Sequence, residues 1–359
     1  MINGVLPKPM QNFLAIFTIK HNIDNNKPIQ QSECVMVKTI WSLMDDRRGS
    51  VGQAKGVLNA LNPQEFEIVE KTINYNKFAG LPNWLRGRSL LGLKSESKLQ
   101  LRAPFPDYVL SISRRTAPVA RYIKKHSPHT KIIQLMHPGN TGLEDFDLVI
   151  VPEHDKNKKS GANIHYIVGC PHRVDDKYLA AARAEWAEKF AKLPKPLTAV
   201  IIGGSIKGKP FPPEDVSELC RNIKRLKQKI GGSILITTSR RTGIEAENII
   251  KKELVDLPQY PYFWGSAGDN PYAGFLACAD NIVITADSVS MCCESTGTGK
   301  PIYLFVGGNH WLTPKHKRFA QSLVDKKCAI FIDAPDIFEF QPQSALNAAK
   351  EVAELIENL

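Results

Sequence analysis

The stretch "ITADSVSMCCESTGTGKPIYLF", residues 284–305, sets Asp287, Ser288, Ser290 and Glu294 between two apolar runs and closes on Gly-Lys-Pro. The pattern fits a strand, a small polar turn, a helix start and a second strand. Amides at a helix start stabilise anions. Ser290 and Glu294 lie about one helical turn apart and so share a face. Such a turn could hold a diphosphate on amides and hydroxyls while a carboxylate takes the two hydroxyls of a ribose. The plain alternative is an N-cap followed by a glutamate that favours the helix dipole.

Three more turns in the second half have compatible chemistry. "GGSIKGKPF" offers Ser205 and Lys207 beside two glycines that let backbone approach an anion. It lacks the GxxxxGK[ST] spacing of a nucleotide-binding P-loop. "TTSRRTG" brings Ser239, Arg240 and Arg241, and arginines can grip a phosphate bidentately. "FWGSAGDNPYAGF" supplies Trp264 as a flat wall for a base and Asn270 at a helix entry. In the first half, "DDRRGSVGQ" carries Asp45, Asp46, Arg47, Gly49 and Gln53, and "SRRTAPVARYI" carries Arg114 and Arg115. "LMHPG" and "VPEHD" place His137 and His154 at strand ends. A carboxylate or imidazole there can act as general base toward an acceptor hydroxyl. Asp45, Asp46, His137 and His154 are therefore the candidate catalytic groups. Arg47, Gly49, Gln53, Arg114 and Arg115 are the candidate acceptor-side groups. For each taken singly, a structural or solvated role is the competing reading. Ser-Arg-Arg-Thr occurs once in each half, both times before a helix.

These turns need a scaffold that brings them together. Short β-branched and apolar runs alternate with helical patterns along the chain, which predicts two doubly wound parallel sheets. Strands are expected near residues 35–43, 65–73, 107–111, 131–136, 147–151 and 163–168, with a helix over 117–125. A strong helix is expected over 175–193. The Pro194 and Pro196 segment then reads as a linker. The alternation restarts at residue 198, and the chain ends on an amphipathic helix. The expected organisation is an extension over 1–34, an acceptor-side domain over 35–192, a linker over 193–197, a nucleotide-binding domain over 198–340 and a final helix segment over 341–359. That last segment could pack back on the first domain. Ligands in such sheets bind beyond the carboxyl ends of the strands.

The 359-residue chain carries 47 lysines and arginines against 36 acidic residues, a net charge of +11. This balance favours anionic partners. The cations are spread along the chain with no nucleic-acid module, so nucleic acid is not an expected partner. Seven cysteines fit no disulfide framework and no CxxC occurs, which points to a reduced, cytoplasmic protein without structural zinc. No metal or cofactor is expected. No apolar run approaches a membrane span, and "FLAIFTI" lacks a cleavage site and is not read as a signal peptide. "NWLRGRSLLGLKSESKLQLR", residues 83–102, mixes apolar and basic residues. It reads either as a surface for an anionic membrane or as a helix on the first sheet with a basic outer face. Peripheral membrane contact is thus an open reading.

"DSVSMCCESTGTGKP" resembles the C-terminal-domain signature of the GT-B superfamily, which includes sugar-nucleotide glycosyltransferases and UDP-N-acetylglucosamine 2-epimerases. The epimerases have Asp-Ser-Gly-Gly, a Glu and Gly-Lys-Pro at this spacing; here Val289 and Ser290 stand where the two glycines would be. "WSLMDDRRGSVGQAKGV", "SRRTAPVARYI", "MHPG", "VPEHD", "GGSIKG", "TSRRTG", "DNPY" and "TADSVSMCCEST" run in the same order as in the mitochondrial-fission factor family of plants and its bacterial relatives, from about residue 36 to 335. The bacterial members are described as nucleoside-diphosphate-sugar epimerases on resemblance alone. The plant members act as adaptors recruiting a dynamin-related protein to the mitochondrial surface. The resemblance implies a GT-B-like fold of two Rossmann-like domains facing a central cleft. It also implies a nucleotide-diphosphate sugar of UDP type, with Ser288 and the Val289-Ser290 amides on the diphosphate and Glu294 on the ribose. Two functions follow. One is a metal-independent glycosyltransferase, or a related epimerase-like enzyme, acting on an unidentified acceptor such as a lipid or glycan. The alternative is a non-catalytic adaptor that retains the fold.

Overall fold

The computed structural model describes residues 36–156, 161–308, 311–343 and 345–359; the expected extension over 1–34 lies outside them. The first sheet is built from β1 (Lys38–Met44), β2 (Phe66–Thr72), β3 (Tyr108–Ile112), β4 (Lys131–Leu135), β5 (Leu148–Pro152) and β6 (Ile164–Ile167). The second is built from β7 (Leu197–Ile202), β8 (Ser233–Thr238), β9 (Gln259–Tyr262), β10 (Asn281–Thr285), β11 (Ile302–Phe305) and β12 (Ile330–Phe331). Strand order is β2-β1-β3-β4-β5-β6 in one and β12-β11-β10-β7-β8-β9 in the other. Every strand pair is parallel. The uninterrupted apolar runs follow from this, because a central parallel strand is covered on both faces. Every residue of β3, β5, β7, β8 and β10 is buried. The two doubly wound parallel sheets read from the sequence are present.

The helices are α1 (Arg48–Ala60), α2 (Asn83–Arg86), α3 (Ser95–Leu99), α4 (Ser113–His126), α5 (Asp176–Phe190), α6 (Pro213–Ile230), α7 (Ile244–Glu253), α8 (Tyr272–Cys278), α9 (Val289–Thr296), α10 (Pro314–Asp325) and α11 (Ala348–Glu357). The sequence dictates α6 most directly. Pro213 opens it, Glu214 and Asp215 face its positive end, Lys227 and Lys229 its negative end, and Gly231 at φ 68° stops it. Val216, Leu219, Ile223 and Leu226 form its buried stripe. Each such side chain contributes about 1.5–3 kcal/mol by leaving water.

Winding reverses between β1 and β3 in the first sheet and between β7 and β10 in the second. Beyond the carboxyl ends of those strands a crevice opens. The turns after β1, β3, β7 and β10 border the switch points, and further candidates follow β4, β5, β8 and β9.

The chain passes between the two cores twice. Leu179, Trp186 and Phe190 of α5 are buried with the second sheet's core, which already includes Val168. The crossing therefore precedes the Pro-containing segment at 193–197. Conversely, Val352 and Ile356 of α11 are buried in the first sheet's core with Val57 and Leu58 of α1. Two other elements differ from expectation. Residues 83–102 form two short helices separated by loop, because Gly87 at φ 56° and Gly92 at φ 95° break them. The helix expected from Ala117 begins at Ser113 instead, so Ser-Arg-Arg-Thr there forms a first helical turn. In the second half the same tetrapeptide stays a turn ahead of α7.

Candidate functional site

At the second switch point Asp287 organises the backbone. It is 4% exposed. Its carboxylate accepts hydrogen bonds from the Gly204 amide at 2.9 Å and Thr285 Oγ1 at 2.7 Å, and pairs with Arg241 Nη1 at 2.6 Å. Burial pushes its carboxyl upward against the Arg241 charge and these hydrogen bonds. A Cβ on Gly203 would run into this carboxylate, so glycine is required for the close approach. Ser239 Oγ donates to Gly203 O at 2.8 Å, and Arg241 Nη1 also donates to Ser205 O at 3.0 Å. Trp311 Nε1 donates to Gly204 O at 3.1 Å while its ring stacks on Phe211 at 4.1 Å. The tightly held turn leaves Lys207 and Arg240 exposed. His316, on the first turn of α10, feels the charges of Asp287, Lys315, Arg241 and Lys207, while burial holds its pKa below the usual value.

Beside this turn, α9 starts at Val289 with Ser288 as N-cap, and the Ser288 side chain makes no capping hydrogen bond. The first-turn amides thus lack the usual side-chain closure at this helix start. Glu294, one turn further, is half-buried. Its Oε2 accepts a hydrogen bond from Tyr272 Oη at 2.6 Å. Burial raises the Glu294 pKa, opposed by the Tyr272 hydrogen bond and the Arg173 charge. A cavity of ≈ 510 Å³ lies here, lined by Thr238, Ser239, Tyr262, Trp264, Asn270, Tyr272, Met291 and Glu294 among others. Trp264 presents an exposed ring, and its amide is fixed by Thr238 Oγ1 at 2.8 Å. Asn270 Oδ1 accepts from the Tyr272 amide at 3.0 Å, which sets the entry of α8.

At the first switch point, Asp45 is buried and accepts from the Arg47 amide at 2.7 Å and from Ser113 Oγ at 3.2 Å. Ser113 sits at φ 72°, a conformation that non-glycine residues seldom adopt and that tends to mark functional turns. Arg115 pairs with both Asp45 and Asp46 and stacks over the Tyr75 ring at 4.3 Å. The Arg115 hydrogen bond holds the Asp46 carboxyl below its usual range. Asp45, Asp46, Gly49, Val51, Gly52, Lys55, Arg173 and Glu294 line a second cavity of ≈ 470 Å³. Glu294 therefore faces both cavities.

The structure thus brings together Asp45, Asp46 and Gly49 from one half and Glu294 from the other. It brings Ser239, Trp264, Asn270 and Glu294 together around the first cavity. His137 and His154 line neither cavity. His137 Nδ1 accepts from the Gly139 amide at 3.2 Å, its Nε2 is buried without a partner, and burial lowers its pKa. His154 packs edge-on to Phe319 of α10 at 5.1 Å, and burial depresses its pKa to about 4. Arg47 and Arg114 are exposed and Gln53 is half-buried on α1, none of them lining either cavity. The sequence reading missed Arg173, Tyr272 and His316. Tyr272 stands in the quoted motif "DNPY", but nothing local marks it as the hydrogen-bond partner of Glu294 or Arg173 as a charge near it.

A family model described as Mitochondrial fission ELM1 matches residues 48–359. An uncharacterized protein of Rickettsia prowazekii (strain Madrid E) is 33% identical over 353 residues, covering 89% of this chain and 97% of its own length. The Mitochondrial fission protein ELM1 of Arabidopsis thaliana is 31% identical over 273 residues, covering 69% of this chain and 62% of its own. The structure of UDP-GlcNAc 2-epimerase from Methanocaldococcus jannaschii superposes with a TM-score of 0.54 at 10% identity, covering 89% of this chain and 100% of that one. At this identity the likeness speaks for the fold, and the fold is GT-B.

Proposed function

We propose that this chain, which belongs to the mitochondrial fission ELM1 family, binds a nucleoside-diphosphate sugar of UDP type between its two sheets and transfers the glycosyl group. The carrying observation is that the Glu294 carboxylate lines both the Trp264 cavity and the Asp45–Asp46 cavity. In this reading the base lies against Trp264 and Tyr262, and Glu294 accepts hydrogen bonds from the ribose hydroxyls. The diphosphate rests on the first-turn amides of α9 with Ser288 and Ser290. Arg241 and Lys207 supply positive charge near it, neutral His316 can offer a hydrogen bond, and Ser205 and Arg240 border the same turn. The sugar then points toward Asp45 and Asp46. An acceptor hydroxyl loses its proton to one of these carboxylates as its oxygen bonds to the anomeric carbon. The anomeric carbon–oxygen bond breaks, and the diphosphate leaves with its charge met by amides and cations. The scheme is metal-independent. Arg115 keeps the carboxylates oriented, and Arg47, Gln53 and Arg114 belong to the acceptor side.

Titration of the full chain with UDP, UDP-N-acetylglucosamine and other nucleotide sugars by calorimetry tests this. At least one is expected to bind, and Glu294→Ala should weaken it about tenfold or more. Absence of nucleotide binding across the panel would overturn the reading. Binding with no turnover of any donor would leave the second reading, a non-catalytic adaptor.

A further inference from the structure

Between β2 and β3 the chain makes an excursion whose base is closed by its own backbone. Tyr75 bridges Leu93, the Asn76 amide donates to Gly92 O at 2.9 Å, and the Lys94 amide donates to Asn74 O at 3.0 Å. The excursion is also tied to the body of the first half. Asn83 Nδ2 donates to Arg114 O at 2.9 Å and Pro138 O at 2.8 Å, and the buried Arg86 donates to Leu91 O and Arg115 O at 3.0 Å each. Leu93 and Leu101 are buried, but five other apolar side chains of the segment stay exposed. Phe78, Trp84, Leu85, Leu91 and Leu99 are between 40% and 66% exposed. Singly exposed apolar residues are ordinary, but a cluster on a rigidly held segment marks an interaction surface.

The charge around this cluster identifies the partner. Lys77, Lys94, Lys98 and Arg102 are exposed, and Glu96 is the sole acidic residue over 77–102. Exposed apolar side chains that include a tryptophan, interspersed with exposed lysine and arginine, match the interface of an anionic bilayer: rings and leucines enter the headgroup boundary while the cations meet lipid phosphates. No described helix is long and apolar enough to cross a membrane, so contact would be interfacial. We propose that residues 77–102 dock this chain on an anionic lipid bilayer. Through Asn83 the docked surface is joined to Arg114 and Pro138, which follow β3 and β4 at the rim of the cleft. Docking therefore sets the Asp45–Asp46 side of the cleft close to the lipid surface. The proposal stands independently of nucleotide binding.

Co-sedimentation of the full chain with vesicles tests it. The chain is expected to pellet with phosphatidylcholine–phosphatidylglycerol vesicles, hardly at all with phosphatidylcholine alone, and less as salt rises. Trp84→Ser with Leu85→Ser, and separately Lys94→Glu with Lys98→Glu, should each weaken binding to the mixed vesicles about tenfold or more. All four side chains are exposed, so both variants should keep the wild-type melting temperature and nucleotide affinity. Wild type that fails to pellet with the mixed vesicles overturns the proposal. So does equal binding to both vesicle types, or variants that bind as wild type.

Discussion

Two acids in one short motif divide the labour at this site. Asp287 is consumed by structure: its oxygens hold Gly204, Thr285 and Arg241. Asp287→Ala leaves the partly exposed Arg241 with Ser205 O and removes the acceptor of Gly204 and Thr285, and should cost roughly 1–3 kcal/mol, read from urea denaturation. Among the described residues Glu294 has one hydrogen-bond partner, Tyr272, so Glu294→Gln should change stability by under about 1 kcal/mol. Its effect should appear in ligand affinity and its pH dependence. A carboxylate accepts hydroxyl hydrogen bonds best when ionised, and burial raises the Glu294 pKa. Wild-type affinity should therefore be full above that raised pKa and fall as pH drops through it, sooner than for an ordinary carboxylate. Titrations at several pH values should show Glu294→Gln without this decline. The spacing of Asp287, Ser288, Ser290 and Glu294 is readable from the sequence. Which acid remains available is not, because Arg241 and Gly204 approach Asp287 from distant parts of the chain.

At the scale of elements, the site depends on turns that only glycine can make. A Cβ on Gly204 would collide with the carbonyl of Arg241. Gly204→Ala should lose roughly 1–3 kcal/mol and displace the turn that carries Ser205 and Lys207. Gly49 is the contrast: it lies in α1, and a Cβ there meets nothing within 4 Å. Gly49→Ala should hold or raise the melting temperature, since alanine favours helix by about 1 kcal/mol over glycine. The strands and the helices α5, α6 and α11 were legible because burial on one stripe or on both faces imposes a periodicity. The repeated Ser-Arg-Arg-Thr shows where local reading stops. The same four residues open a helix in one half and remain a turn in the other, decided by Gly243 at φ 81° and by the Ser113 contact with Asp45.

At the scale of the whole molecule, α10 of the second half packs on residues 153–155 of the first. Lys315 Nζ lies 2.6 Å from the Asp155 carboxylate, and Phe319 lies against His154. His154 titrates at about 4 in the fold, against 6.5 ordinarily. The unfolded chain then binds more protons in that interval, so stability falls as pH drops from about 6.5 toward 4, by up to about 3 kcal/mol. Urea midpoints at about pH 7 and about pH 4.5 should converge in His154→Gln relative to wild type. Reading His154 as a base was reasonable from its place at a strand end, but its burial against Phe319 makes it a contact between the halves.

The sequence by itself determined the alternation of strands and helices, the polar turns beyond the strands, and the family. Those are local properties, set by periodicity, turn chemistry and motif order within short windows. The tertiary structure alone decided that Glu294 faces both cavities, that Arg173 and Tyr272 are its neighbours, and that α5 packs in the second core. Those are facts of spatial neighbourhood. They arise when burial of apolar stripes brings together residues such as Asp45 and Glu294, which no sequence window contains at once.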